Sequence, residues 1–282
     1  MRQLAAHAAP RRIIDTADGP LAVLDTGPDT GSGRPPVLFV PGFTGSKEDF
    51  APLIDPLCRA GFRVLALDQR GQFESPGVDD ASAYTVAALA ADLLAVADDL
   101  VGPRQRVHLC GHSFGGLVGR AAVLARPAQF ASLALIASGP DRLVGPRADR
   151  LANLAPLLDQ GGLARVYDVM EQLAVDDPSW GEVSEQMRAF LRHRFLTSSE
   201  AALRGMAEAM LTEPDRVAQL AATGVPVLVA HSERDDAWTP QAQAEMATRL
   251  GARHVVIADA LHSPVVENPD AVLAALLDFW TA

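Results

Sequence analysis

Five residues in the middle of the chain, Gly111-His112-Ser113-Phe114-Gly115, have the types and spacing needed to present a nucleophile. The preceding run Val107-His108-Leu109-Cys110 reads as a buried strand, and the pattern from Leu117 to Leu124 reads as a helix. A strand, a Gly-x-Ser-x-Gly turn and a helix compose a nucleophile elbow, which holds a serine hydroxyl clear of a sheet edge. So tight a turn leaves no room for side chains two residues either side of the serine, which makes Gly111 and Gly115 steric requirements. The helix start after Ser113 supplies unpaired N–H groups and a partial positive charge where an oxyanion would form.

A serine hydroxyl is a poor nucleophile near neutral pH and needs a base within hydrogen-bond reach. Histidine is the usual base, and a buried carboxylate sets its tautomer and stabilises the imidazolium. Of the seven histidines, His7 lies near the terminus, His193 in a helical stretch, and His108 and His254 in strand-like runs. His231 lies in a strand-end loop, and His112, beside the serine, points off the turn in a structural role. His262 sits in the exit loop of the last apolar run, after both Ser113 and a strand-end aspartate, and is the candidate base. The carboxylate should leave the preceding strand, which ends in Asp235-Asp236. Asp235 is the better choice by spacing, Asp236 is the alternative acid, and Asp259 is a weaker rival. Backbone amides must hold the developing oxyanion. Phe114 N–H is one, and the loop after residue 40 supplies the other at Phe43, with Gly42 allowing close approach.

These loops need a scaffold that brings them together. Short apolar runs at residues 36–40, 62–67, 107–110, 132–137, 226–230 and 253–257 alternate with amphipathic helical patterns at 47–60, 84–101, 240–250 and 269–280. That alternation predicts an α/β fold with a mostly parallel sheet covered on both faces. Ligands of such sheets bind at the carboxyl ends of the strands, where every loop named above lies. Residues 11–27 read as an antiparallel edge hairpin around Asp18-Gly19, and 27–36 as a turn-rich loop. From 141 to 222 strand patterns vanish and helical spacing takes over, predicting a helical cap inserted into a core formed by 1–140 and 223–282. Trp180, Met206 and Met210 of this insertion, with Trp238, are the candidate wall of a substrate pocket.

Composition narrows the partners. The chain has 282 residues, 49% hydrophobic and 21% charged, which is globular and not disordered. A net charge of −11 disfavours nucleic acid and anionic membrane and leaves a small-molecule substrate. Cys58 and Cys110 read as small buried hydrophobes, not as a disulfide or a metal pair. No Cys/His cluster has zinc spacing and no phosphate-cradling Gly-x-x-x-x-Gly-Lys occurs, so neither a metal nor a cofactor is expected. The N-terminus lacks the apolar core of a secretion signal and no run approaches membrane-spanning length, so a cytoplasmic location is expected. Oligomeric state has no signature in the sequence.

Five motifs in order, Pro41-Gly42-Phe43-Thr44-Gly45-Ser46, Asp68-Gln69-Arg70-Gly71, Gly111 to Gly116, Ser232-Glu233-Arg234-Asp235 and Leu261-His262-Ser263-Pro264, resemble the α/β-hydrolase superfamily in its esterase, lipase and haloperoxidase-like branch. The resemblance implies an eight-stranded sheet, a cap inserted after the sixth strand, and Ser113, Asp235 and His262 as a catalytic triad. The chain departs from the family pattern at Pro41, where many relatives have histidine, and at Ser232 and Leu261, where glycine is common. It departs again in Gly71-Gln72-Phe73-Glu74-Ser75, where Gly-x-Gly-x-Ser is usual. The expected activity is cleavage of a carboxylic ester of a small to medium, largely apolar substrate. Lactone, thioester, amide or carbon–carbon hydrolysis, cofactor-free perhydrolysis, and a small-molecule receptor on the same fold are the alternatives. Serine at 113 sets the chain apart from dehalogenases and epoxide hydrolases of this fold, which use aspartate there.

Overall fold

The computed structural model describes residues 2–27, 32–102, 105–175, 178–181 and 183–281. An antiparallel hairpin, β1 (Arg11–Thr16) and β2 (Gly19–Asp25), forms one edge, as the reading around Asp18-Gly19 predicts. The centre of the turn-rich loop that follows, residues 28–31, lies outside the described residues. Then come β3 (Val37–Val40), α1 (Ala51–Arg59), β4 (Val64–Leu67), α2 (Val86–Val101), β5 (Val107–His112), α3 (Phe114–Ala125) and β6 (Phe130–Ile136). The alternation resumes with β7 (Val227–Ser232), α10 (Pro240–Leu250), β8 (Arg253–Ile257), a short α11 (Pro264–Glu267) and α12 (Pro269–Thr281). Between β6 and β7 the described residues form α4 (Pro146–Ala152), α5 (Leu154–Val175), α6 (Pro178–Gly181), α7 (Glu185–Leu196), α8 (Glu200–Thr212) and α9 (Val217–Ala222).

The strands form one eight-stranded sheet in the order β1-β2-β4-β3-β5-β6-β7-β8, parallel from β4 to β8. This is the α/β-hydrolase fold. Its central strands are continuous apolar runs because both faces are covered. Alternate residues serve opposite layers: Leu38, Val40, Leu65, Leu67, Leu133 and Leu135 pack toward α2 and α3. Val37, Phe39, Val64, Ala66, Ala134 and Ile136 pack toward α1 and α12. The inserted helices carry a small core of their own, including Leu154, Leu158, Val166, Tyr167 and Phe195. α5 is broken at Gly161–Gly162, where Gly162 adopts a φ of 62°.

The chain leaves β3 toward β4 on one side, and β5 then pairs on the other side of β3. At such a reversal the loops leaving the two strands diverge and open a crevice at their carboxyl ends. Here those loops are 41–46, after β3, and the turn at Ser113, after β5. Among the described residues, no helix is long and apolar enough to cross a membrane.

His108, in β5, faces the α12 layer, with Nδ1 2.8 Å from Ser132 Oγ and its ring stacked on Trp280. Burial, then the charges of Arg106 and Arg34, pull its pKa from 6.5 down to about 4. Below pH 6.5 the unfolded chain therefore binds a proton that the folded chain refuses, and this contribution to stability is lost as pH falls toward 4. His108→Gln cannot titrate. Between pH 7 and 4.5 it should lose roughly 2 kcal/mol less stability than the unaltered chain. Chemical denaturation of both proteins at the two pH values checks this.

Candidate active site

β5 ends at His112 and α3 begins at Phe114, leaving Ser113 alone at the turn with φ 53° and ψ −120°. This backbone region is strained for any residue with a Cβ, and close packing on both sides maintains it. A Cβ on Gly111 would lie 2.3 Å from the carbonyl oxygen of Gly115, and one on Gly115 would lie 2.4 Å from that of Val40. Backbone, unlike a flexible side chain, has no way to yield. Gly111→Ala and Gly115→Ala should each destabilise the fold by about 3 kcal/mol or more through overpacking. Thermal denaturation reads this as a large fall in midpoint for either variant.

The structure brings Ser113, His262 and Asp235 into one hydrogen-bonded line, each at least nine-tenths buried. Ser113 Oγ lies 2.9 Å from His262 Nε2, and His262 Nδ1 lies 2.9 Å from Asp235 Oδ1. An ionised carboxylate only accepts, so Nδ1 carries the proton and Nε2 presents its lone pair to the serine hydroxyl. Burial pushes the Asp235 carboxyl up. The hydrogen bond and charge of His262, Ala237 N–H and Gln243 outweigh that push and hold it below the usual carboxylate range. Asp236 is exposed and pairs instead with Arg147 and Arg150 of α4. Asp259 occupies an exposed turn with φ 53°. His231 faces away from the serine, its Nε2 2.8 Å from His254 Nε2.

Three side chains fix the loop that bears His262. His112 Nε2–H donates to the His262 carbonyl at 2.8 Å. Burial, then the charge of His262, pulls the His112 pKa down to about 4, which keeps its ring neutral. Glu267 accepts from Leu261 N–H at 2.7 Å and Ser263 N–H at 3.2 Å. Ser232 Oγ–H donates to the Leu261 carbonyl, so two departures from the family pattern contact each other.

On the other side of Ser113, a Cβ on Gly42 would lie 3.3 Å from Ser113 Cβ, so the 41–46 loop packs directly against the serine. Neither Phe43 N–H nor Phe114 N–H has a protein acceptor among the described residues. A cavity of about 760 Å³ opens above, lined by Phe43, His112, Ser113, Met210, Trp238 and His262 and by Leu154, Leu157, Val166 and Phe195 of the inserted helices. A larger groove of about 930 Å³ between α2, α3 and α8 reaches neither Ser113 nor His262.

Two expected pocket residues lie elsewhere. Met206 is buried in the same core cluster as Tyr84 and Phe114, and Trp180 is half-buried under the guanidinium of Arg188, 5.4 Å from its ring. Neither lines the cavity. Met210 and Trp238 do.

Residues 37–275 match the family model described as the alpha/beta hydrolase family. The chain belongs to this family. A RutD protein of Variovorax paradoxus (strain S110), whose name refers to carbamate hydrolysis, is 36% identical over 208 residues, covering 72% of this chain and 75% of that one. A non-heme haloperoxidase of Rhodococcus erythropolis is 30% identical over 264 residues, 89% and 93% of the two chains. Among solved structures, a thermophilic esterase from Thermogutta terrifontis superposes with a TM-score of 0.73 at 28% identity, covering 96% and 97%.

Three side chains of this hydrolase that motif reading did not single out support the site. Gln243, fully buried, donates to Asp235 Oδ2 at 2.9 Å and to the Trp238 carbonyl at 2.8 Å, orienting the acid from within α10. Its signal was a polar residue on the inner face of an otherwise ordinary amphipathic helix. Arg194 of α7 donates to Asp49 at 2.7 Å and ties the inserted helices to the loop beside the cavity. Gln72 contacts the loop that carries Phe43.

Proposed function

We propose that this hydrolase cleaves a carboxylic ester of a small to medium, largely apolar substrate through an acyl-enzyme on Ser113. The unbroken line from Ser113 Oγ through His262 to Asp235, beside two unpartnered N–H groups, carries this reading. Ser113 Oγ attacks the ester carbonyl carbon while His262 Nε2 takes its proton. The N–H groups of Phe43 and Phe114 hold the tetrahedral oxyanion. Collapse of the intermediate expels the alcohol, which leaves with the proton from His262. Water then attacks the acyl group, giving a proton to Nε2, and the acid departs as Ser113 regains its hydrogen. Asp235 keeps the imidazole in the required tautomer and stabilises its charged form throughout.

The largely apolar cavity wall supports an apolar acyl or alcohol group, and the esterase relative supports ester chemistry on this fold. In this reading residues 141–222 act as a cap over the core formed by 1–140 and 223–282. The haloperoxidase relative supports a second use of the same serine, with hydrogen peroxide in place of water giving a peracid.

Turnover of p-nitrophenyl acetate and butyrate, phenyl carbamate and a γ-lactone by the purified protein tests the proposal. The two esters should be cleaved fastest. Cleavage of carbamate or lactone with no ester turnover would reassign the substrate class while leaving the triad in place. Peracid formation from acetate and peroxide, measured alongside, reads out the second use.

A further inference from the structure

The loop that carries Phe43 is held from behind by two glutamines. Gln69 Nε2 donates to the Pro41 carbonyl at 3.0 Å, and Gln72 Nε2 donates to the carbonyls of Gly42 at 2.7 Å and Phe43 at 3.0 Å. Three successive carbonyls therefore face the loop that follows β4. In a trans peptide the C=O and the next N–H lie in one plane and point in opposite directions. Holding the Gly42 carbonyl thus turns Phe43 N–H away from Gln72, on the loop that packs against Ser113, and that N–H has no protein acceptor among the described residues. The Gly42 carbonyl also accepts from Gly45 N–H at 3.1 Å, a contact within its own turn. Gln72 adds a donor from outside the turn and restrains two adjacent peptides with one amide group.

Gln72 is itself fixed. It is 2% exposed, and its Oε1 accepts from Gln69 N–H at 3.1 Å, which settles which end of the amide faces the loop. Its own loop is also held by bonds that do not use this side chain. Gln72 N–H donates to the Gln69 carbonyl, Ser75 N–H donates to the Gln72 carbonyl, and Gly71 N–H donates to the Ser75 carbonyl. Asp68 additionally accepts from the backbone and side chain of Lys47.

We infer that Gln72 is a positioning residue for the oxyanion hole, its amide aiming Phe43 N–H at the developing negative charge. The inference rests on the acyl-enzyme reading above. Removing an oxyanion donor outright typically costs on the order of a hundred- to a thousand-fold in turnover. Loss of aim, with the donor still present and the Gly45 contact intact, should cost about ten- to a hundred-fold.

The test compares Gln72→Met, similar in length but without donors, with the unaltered protein. Two rates are read: kcat for p-nitrophenyl butyrate and the second-order labelling of Ser113 by an alkyl fluorophosphonate, whose phosphonyl oxygen occupies the same hole. Both should fall about ten- to a hundred-fold, while KM and inhibition by the product butyrate stay within about threefold. Gln72→Ala serves as the second variant if the methionine form folds poorly, and should show the same split. Unchanged kcat and labelling rates, or equal losses in kcat and butyrate binding, would overturn the inference and leave the triad standing. Failure of the unaltered protein to label at Ser113 would overturn both readings together.

Discussion

Ser113→Ala should lower kcat/KM for p-nitrophenyl butyrate at least about ten-thousand-fold, with the folded structure retained. Alanine takes the same strained backbone position as serine, and only Oγ is removed from a residue that is 6% exposed. Without Oγ no acyl-enzyme forms, and His262 can act only on water placed by chance in the cavity. The N–H groups near the site remain, so residual activity above the uncatalysed rate is expected, as in serine hydrolases stripped of the nucleophile. A thermal midpoint within a few degrees of the unaltered protein would show that lost chemistry, not lost folding, is being measured. Retention of even a hundredth of the activity would mean that another group performs the attack.

The second large effect separates two neighbouring aspartates. Asp235→Asn should reduce turnover about ten-thousand-fold, whereas Asp236→Asn should stay within about threefold. Asp235 Oδ1 accepts from both His262 Nδ1 and Ala237 N–H, and Oδ2 accepts from Gln243. An asparagine placed there must present an NH₂ group to one of these partners. Turned toward His262, it donates to Nδ1, moves the ring proton to Nε2, and leaves no lone pair for the serine hydroxyl. Turned the other way, it opposes the Gln243 amide and leaves a buried donor pair unsatisfied. Asp236 has no such role, since its carboxylate pairs with Arg147 and Arg150 at a half-exposed surface. Such pairs contribute little, and replacing one partner should touch stability by less than about 1 kcal/mol. Comparable losses from the two variants would contradict this assignment of the acid. Steady-state kinetics on both, side by side, decides it.

Much of the scaffold could be read directly from residue order. Strands such as Val37–Val40 and Val64–Leu67 are covered on both faces, and burial on both faces leaves an uninterrupted apolar run. The order serine, aspartate, histidine was equally visible, because each side chain sits in a loop at the end of a recognisable strand. The choice between Asp235 and Asp236 was harder. Adjacent residues in a loop can face opposite ways, and only the position of α10 and α4 shows which one meets His262.

The inserted helices were the least legible part. Met206 and Met210 lie one turn apart on α8, yet Met210 and Leu203 reach the cavity wall while Met206, between them, is buried in the core with Tyr84 and Phe114. Helical periodicity identifies the buried face of a helix, not which stretch of that face meets a pocket. The glutamines were hidden for another reason. Gln69, Gln72 and Gln243 act through side-chain amides bonded to distant backbone or to Asp235, and no local spacing rule encodes such contacts. The departure from glycine at Phe73 marked the loop as unusual, and the structure places its backbone at φ 40° with its N–H held by Ser198 Oγ.

The most direct test of the central claim is covalent. The protein is exposed briefly to a slight excess of an alkyl fluorophosphonate at neutral pH, and the intact mass and modified peptide are measured. One phosphonyl group should be added per chain with loss of fluoride, on the peptide containing Ser113, together with complete loss of esterase activity. His262→Ala should slow the addition by several orders of magnitude. No adduct, an adduct at another residue, or full esterase activity after labelling of Ser113 would contradict the account.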